Sequence, residues 1–226
     1  MGAAVVLKKR FEAVLEGPLE WHARHVPELV RTGVSQLDSA TGGLPRGCLT
    51  EITGPASSGR TSLLVSILAA ATARDEVCAL VDAEDAFDPR SAGAAGVRLE
   101  RLLWVRCGHR AEHALKAADL LIQGGGFGVV ALDLGDTPPE TARRVSLTSW
   151  FRLRRAVEHT PTVLVTVTRQ SNARACASLI LECARRREEW TGGPPASSRL
   201  LGAIRVEVAR RKPAREARAH VLLPVR

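Results

Sequence analysis

The residues with the clearest chemical purpose are Gly54-Pro55-Ala56-Ser57-Ser58-Gly59-Arg60-Thr61, followed by Ser62. Two glycines around small polar residues let a backbone curl until several N–H groups point inward. A helix starting at the second glycine adds its positive end. Such a loop cradles phosphate, and the Thr61 hydroxyl stands where it can hold Mg²⁺. One position departs from the pattern. A phosphate loop places lysine after its second glycine, a compact charge on a thin stem. Arg60 is a broad planar fork, and the two are not interchangeable in a tightly shaped site. ATP with Mg²⁺ is the cofactor the loop is shaped for, and Arg60 counts against its productive use. The plainer reading, a glycine turn ahead of a helix, has to be weighed against the flanking elements.

Those elements are the ones a phosphate loop needs. Residues 49–53 alternate as a strand before the loop, and residues 62–73 read as a helix after it. Short apolar runs at 77–81, 102–105, 128–133 and 162–168 read as buried parallel strands. Helical patterns at 111–123 and 140–159 lie between them. In the last helix Trp150, Leu153 and Val157 share one face, with Arg144, Arg152 and Arg155 opposite. Asp133 closes the 128–133 strand, where a carboxylate can hold the water shell of Mg²⁺. From residue 177 the pattern becomes alternation (Leu179/Leu181, Ile204/Val206/Val208, Val221/Leu222/Leu223), which predicts antiparallel strands. The expected fold is therefore α/β, a mostly parallel central sheet flanked by helices with an antiparallel C-terminal extension. Residues 1–31 are expected to form an N-terminal helix and linker ahead of a core domain at 32–226. Leu7, Phe11, Val14 and Leu15 make an amphipathic stripe suited either to a neighbouring copy or to its own domain.

Composition narrows the function classes. The 226 residues are 45% hydrophobic and carry no run long enough to span a membrane. The first ten residues lack the apolar stretch of a secretory leader. Five dispersed cysteines without a CxxC pair read as reduced thiols, and the expected location is cytoplasmic. Cys107, His109 and His113 lack a fourth ligand and the HExxH pattern, so no zinc site is expected. The net charge is +8, and residues 141–226 hold 18 of the 32 Lys and Arg but only 6 of the 24 Asp and Glu. That third would attract a polyanion such as DNA, through Arg144, Arg152, Arg155 and the Arg185-Arg186-Arg187 cluster, without reading its sequence. Rim contacts to an acidic protein are the competing use of the same arginines.

Over residues 32–223 the chain resembles the RecA recombinase family. The resemblance rests on Thr32-Gly33-Val34-Ser35-Gln36-Leu37-Asp38, Gly42-Gly43-Leu44-Pro45-Arg46-Gly47, the phosphate loop, and the segment from Asp82-Ala83-Glu84 to Asp88-Pro89. It implies that Glu84 orients the attacking water, Asp133 supports Mg²⁺, Asp88 contacts adenine and Gln170 senses the γ-phosphate. It also implies that Arg210 and Lys212 reach a neighbour's nucleotide in a filament. The chain departs from the family at Arg60. Ser91 stands where a tyrosine would stack on adenine, in a sequence with no Tyr. The glycine-rich second DNA loop after Gln170 is nearly absent, and the C-terminal domain of true recombinases is not expected. With these losses, and with Ser146 to Arg154, the chain resembles the ImuA family, accessory proteins of the SOS response to DNA damage. That resemblance implies a non-catalytic or weakly catalytic role in mutagenic translesion synthesis. The implied partners are an ImuB-type polymerase-like protein, an error-prone polymerase and RecA itself, with non-specific DNA contact and no membrane. A working DNA-dependent ATPase is the alternative, and an ATP-binding regulator outside DNA repair a third.

Overall fold

The computed structural model describes residues 26–193, 198–213 and 217–224. The helix expected at 7–16, with Phe11, lies outside the described residues. The elements run β1 (Leu29–Val30), α1 (Ser35–Thr41), β2 (Leu44–Pro45), β3 (Cys48–Thr53), α2 (Arg60–Ala73), β4 (Cys78–Asp82), α3 (Pro89–Ala94), β5 (Leu102–Arg106) and α4 (Ala111–Gly124). They continue with β6 (Val129–Asp133), α5 (Pro139–Arg144), α6 (Leu147–Val157), β7 (Val163–Thr168), β8 (Leu179–Thr191), β9 (Leu200–Lys212) and β10 (Ala217–Pro224). β1 and β2 form a small antiparallel pair, and the other eight strands form one sheet in the order β10-β9-β8-β3-β7-β6-β4-β5.

The central strands are apolar on both faces because both faces are covered. Cys78 and Leu80 of β4 face one core with Leu63, Leu64, Ile67 and Leu68 of α2. Ala79 and Val81 face the other, with Ala114, Ala118 and Ile122 of α4 and Trp150, Leu153 and Val157 of α6. β9 and β10 bury mainly alternate residues, Ile204, Val206 and Val208 against Ala219, Val221 and Leu223, with Ala209 buried beside Val208. That is the pattern of an antiparallel pair with one wet face. The expected α/β architecture, parallel in the middle and antiparallel at the C-terminal end, is what the chain adopts. Among the described residues no helix is long and apolar enough to cross a membrane.

Two expectations are corrected. The helix expected at 140–159 is two helices, because Val145 leaves helical geometry at φ −62°, ψ 115°. Ser146 then starts α6 afresh, its hydroxyl accepting a bond from the Ser149 amide at 3.2 Å. β8 is not wholly antiparallel: Leu179 to Glu182 pair in parallel with Thr50 to Thr53 of β3, while β8 runs antiparallel to β9. Alternation in sequence is blind to this mixed pairing, since both kinds of ladder share a period of two.

The mixed strand brings β8 and its partners over the phosphate loop. A Cβ on Gly54 would lie 2.4 Å from the Cys183 carbonyl oxygen. Gly59, at φ +93°, would place one 2.6 Å from Val206 Cγ2. Both glycines are thus required by close packing as well as by the curl of the loop. Gly59→Ala is expected to destabilise the protein by about 3 kcal/mol, part backbone strain and part overlap. In a Val206→Ala background that cost should fall by about 1–2 kcal/mol. Urea denaturation of the four proteins measures it, and an identical cost in both backgrounds would rule out the contact.

Candidate functional site at the phosphate loop

The site lies at the C-terminal ends of β3, β4, β6 and β7, and begins with Asp82. Its carboxyl oxygens accept from the amides of Ala86 (3.2 Å) and Phe87 (2.9 Å) and from Trp104 Nε1 (3.2 Å). These bonds shape the loop that carries Glu84. Beside it, Asp133 stands opposite Asp82 in the β4–β6 register. Glu84 does not hang free. Its Oε1 accepts from the Thr137 hydroxyl at 2.8 Å, and its Oε2 is hydrogen-bonded to His109 Nδ1 at 2.9 Å.

Arg60 opens α2 and is only 5% exposed. Its Nη1 donates to the Gly135 carbonyl oxygen at 3.2 Å, and Arg169 Nε donates to the same oxygen at 3.2 Å. Burial pulls the Arg60 guanidinium below its ordinary pKa, opposed by the nearby charges of Asp133 and Asp136. Asp133 Oδ1 accepts from the Gly135 amide at 2.8 Å, yet burial pushes its carboxyl up to about 6. Thr61 is exposed, and Ser58 is buried with its hydroxyl unpartnered.

The other sequence-predicted residues are placed as follows. Asp88 is the N-cap of α3, accepting from the amides of Arg90 (3.0 Å) and Ser91 (3.3 Å) and from the Ser91 hydroxyl (2.5 Å), bonds that hold its carboxyl below the usual range. Gln170 follows β7 and accepts from Arg143 Nη2 at 3.1 Å. Arg144 ends α5, Arg152 and Arg155 lie on α6, and all three are exposed. Arg185 and Arg186 on β8 pair with Glu188 and Glu207, both at 2.9 Å, and Arg187 follows them on the same strand. Arg210 and Lys212 end β9, where Lys212 Nζ donates to the carbonyls of Ala175 (2.9 Å) and Ala177 within its own chain. So Arg60, Thr61, Glu84, Asp133 and Gln170 lie at the C-terminal ends of the central strands, while Arg185 and Arg186 are paired with acids on β8 and β9.

Sequence reasoning missed Glu51, which is fully buried in β3. It accepts from the Thr168 and Ser171 hydroxyls (3.3 and 2.5 Å) and from the amides of Asn172 and Ala173 (2.7 and 3.0 Å). Its carboxyl group thereby ties down the segment after Gln170. The available signal was an acid inside an otherwise apolar strand. Thr137 and His109 were also missed as partners of Glu84, and Arg169 as a partner of Gly135. None of these three carries a spacing that reveals it.

Two predictions follow from these bonds. Glu51→Ala should cost about 3 kcal/mol or more, since it leaves buried amides unpaired over a cavity. The urea midpoint should fall, with faster hydrogen exchange at Asn172 and Ala173; an unchanged midpoint would contradict the role. For Asp133, the folded state keeps a proton that the unfolded chain releases near 3.8, so the penalty is absent below about pH 4 and complete above about pH 6. Asp133→Asn should therefore gain up to about 3 kcal/mol on the wild type at pH 7.5 and nothing at pH 4. Thermal melts at the two pH values check the sign.

Sequence comparison relates the chain to known proteins. The RecA N-terminal domain model matches residues 13–137, from before the described residues through Thr137. Protein RecA of Laribacter hongkongensis is 43% identical over 108 residues, covering 47% of this chain and 30% of that protein. Protein RecA of Pseudomonas fluorescens strain SBW25 is 41% identical over 114 residues, covering 50% of this chain and 32% of that one. The alignment thus spans about a third of the length of these curated relatives.

Proposed function

The chain belongs to the RecA N-terminal domain family, and we propose that it works as a RecA-derived accessory protein rather than as a motor. Within that reading it is an ImuA-type factor of the SOS response to DNA damage, supporting mutagenic translesion synthesis. Its contacts would be with an ImuB-type polymerase-like protein, an error-prone polymerase and RecA, with non-specific attraction to DNA through its exposed arginines.

The observation that carries the reading is Arg60. Its guanidinium is buried and donates to Gly135, whereas a phosphate-loop lysine serves as a point charge on phosphate. The residues fit ATP and Mg²⁺ in part. The exposed Thr61 and the first amides of α2 suit phosphate and metal. The oxygens that would act on water do not fit as arranged, since both of those of Glu84 are bonded, one to the Thr137 hydroxyl and one to His109 Nδ1. No hydrolytic step is derived through them. The pinning of residues 171–173 by Glu51 points the same way, because a nucleotide sensor at Gln170 needs a segment that can respond.

The test is ATP turnover by the purified protein with and without single-stranded DNA, beside titration of a fluorescent ATP analogue. Turnover should stay at background, and Arg60→Lys should bind the analogue more tightly than the wild type. DNA-stimulated turnover that Glu84→Gln abolishes would overturn the reading. Binding to a purified ImuB-type partner should be the same with and without ATP.

A further inference from the structure

A cavity of about 610 Å³ lies between the start of α4 and the α5–α6 corner, away from the phosphate loop. Its walls carry His109, Arg110, His113 and Lys116 on one side and Arg144 and Arg152 on the other. Glu112 is the one acid among the lining residues. Arg110, His113 and Lys116 recur every third residue along one face of α4, a run of about 9 Å. Arg152 is tied to Asp119 at 2.9 Å, which holds α6 against α4. Among the described residues the side chains of Arg110, His113, Lys116 and Arg144 have no hydrogen-bonding or ionic partner.

Other described arginines, Arg90, Arg155 and Arg187 among them, also lack a side-chain partner, but these four cations share one groove. On the C-terminal strands Arg186 pairs with Glu207, Arg205 with Glu189 and Arg211 with Glu182. Like charges gathered without counter-charges repel one another and cost stability, so a groove built from them suits an anion that is not part of the chain. The first turn of α4 lies in the wall, and its N-cap Arg110 offers no side-chain oxygen to the leading amides. The Ser146 and Ser149 hydroxyls, hydrogen-bonded to each other at 3.0 Å, leave one O–H free to donate on the opposite side.

We propose that this groove binds a small molecule bearing two or more linked phosphates, of the nucleoside triphosphate or linear oligophosphate class. The volume is that of a small-molecule pocket rather than of a surface track. The line of cations on α4 matches a phosphate chain, with Arg144 gripping it from across the groove. No Phe, Tyr or Trp ring lines the walls. The groove thus lacks the large stacking platforms by which single-stranded nucleic acid is commonly held, and its cations favour phosphate. His109 belongs both to this wall and to the Glu84 hydrogen bond, so occupancy of the groove is felt at the phosphate-loop site.

The experiment is calorimetric titration of the full chain with sodium tripolyphosphate at low salt. Alongside it, a thymidine oligonucleotide lacking terminal phosphates is titrated, and the histidine ring signals are followed by NMR. Saturable binding is expected, with shifts at His109 and His113. Lys116→Ala and Arg144→Ala, both at exposed positions, should each weaken it about tenfold while leaving the melting temperature unchanged. Three outcomes overturn the proposal: no binding of tripolyphosphate, binding that both variants and both histidine signals ignore, or groove-dependent binding of the oligonucleotide alone.

Discussion

A guanidinium buried to 5% exposure needs partners, and at Arg60 that need shapes the site. Its bond to the Gly135 carbonyl draws the turn after β6 onto the start of α2. Arg169 reaches the same oxygen from the end of β7. The turn carries Thr137 to Glu84, and Glu84 is held in turn by His109. One substitution in a phosphate loop thus sits at the head of a chain of contacts across three strand ends. The field of Asp133 and Asp136 partly offsets the burial of Arg60, while Asp133 bears its own desolvation.

The core and the site share residues to an unusual degree. Gly54 and Gly59 are at once the hinges of the phosphate loop and the only shapes that admit Cys183 and Val206 so close. Glu51 lies inside the sheet yet organises residues 171–173 outside it. Lys212 at the end of β9 reaches the carbonyls of Ala175 and Ala177 on the same connection. The segment that follows the sensor position is therefore held from the sheet on one side and from the C-terminal strands on the other.

Charge shows how composition and arrangement diverge. The C-terminal third carries most of the excess positive charge, but on β8 to β10 much of it is spent locally. Arg186 and Arg218 both approach Glu207, and Arg205 meets Glu189 across the ladder. Such exposed pairs contribute little stability each, yet they lower the local field a polyanion would sense. Around α4, α5 and the corner before α6, Arg110, Lys116 and Arg144 have no such partners among the described residues and share one groove. A count along the chain cannot distinguish the two situations, because cross-strand neighbours are distant in sequence.

What the sequence determined by itself was whatever rests on local periodicity and local chemistry. The doubly apolar strands, the buried face of Trp150, Leu153 and Val157, and the glycine loop between β3 and α2 were legible because each is written in consecutive residues. The break at Val145 was not, since a single extended residue scarcely disturbs a helical pattern. Tertiary structure alone decided the partners of the polar groups. His109 and Thr137 lie 25 and 53 positions from Glu84, and Asn172 lies 121 from Glu51. The direction Arg60 takes belongs to the same class. A side chain's chemistry is fixed by its type, but a hydrogen bond needs a partner about 3 Å away, and only the folded sheet brings these strand ends that close.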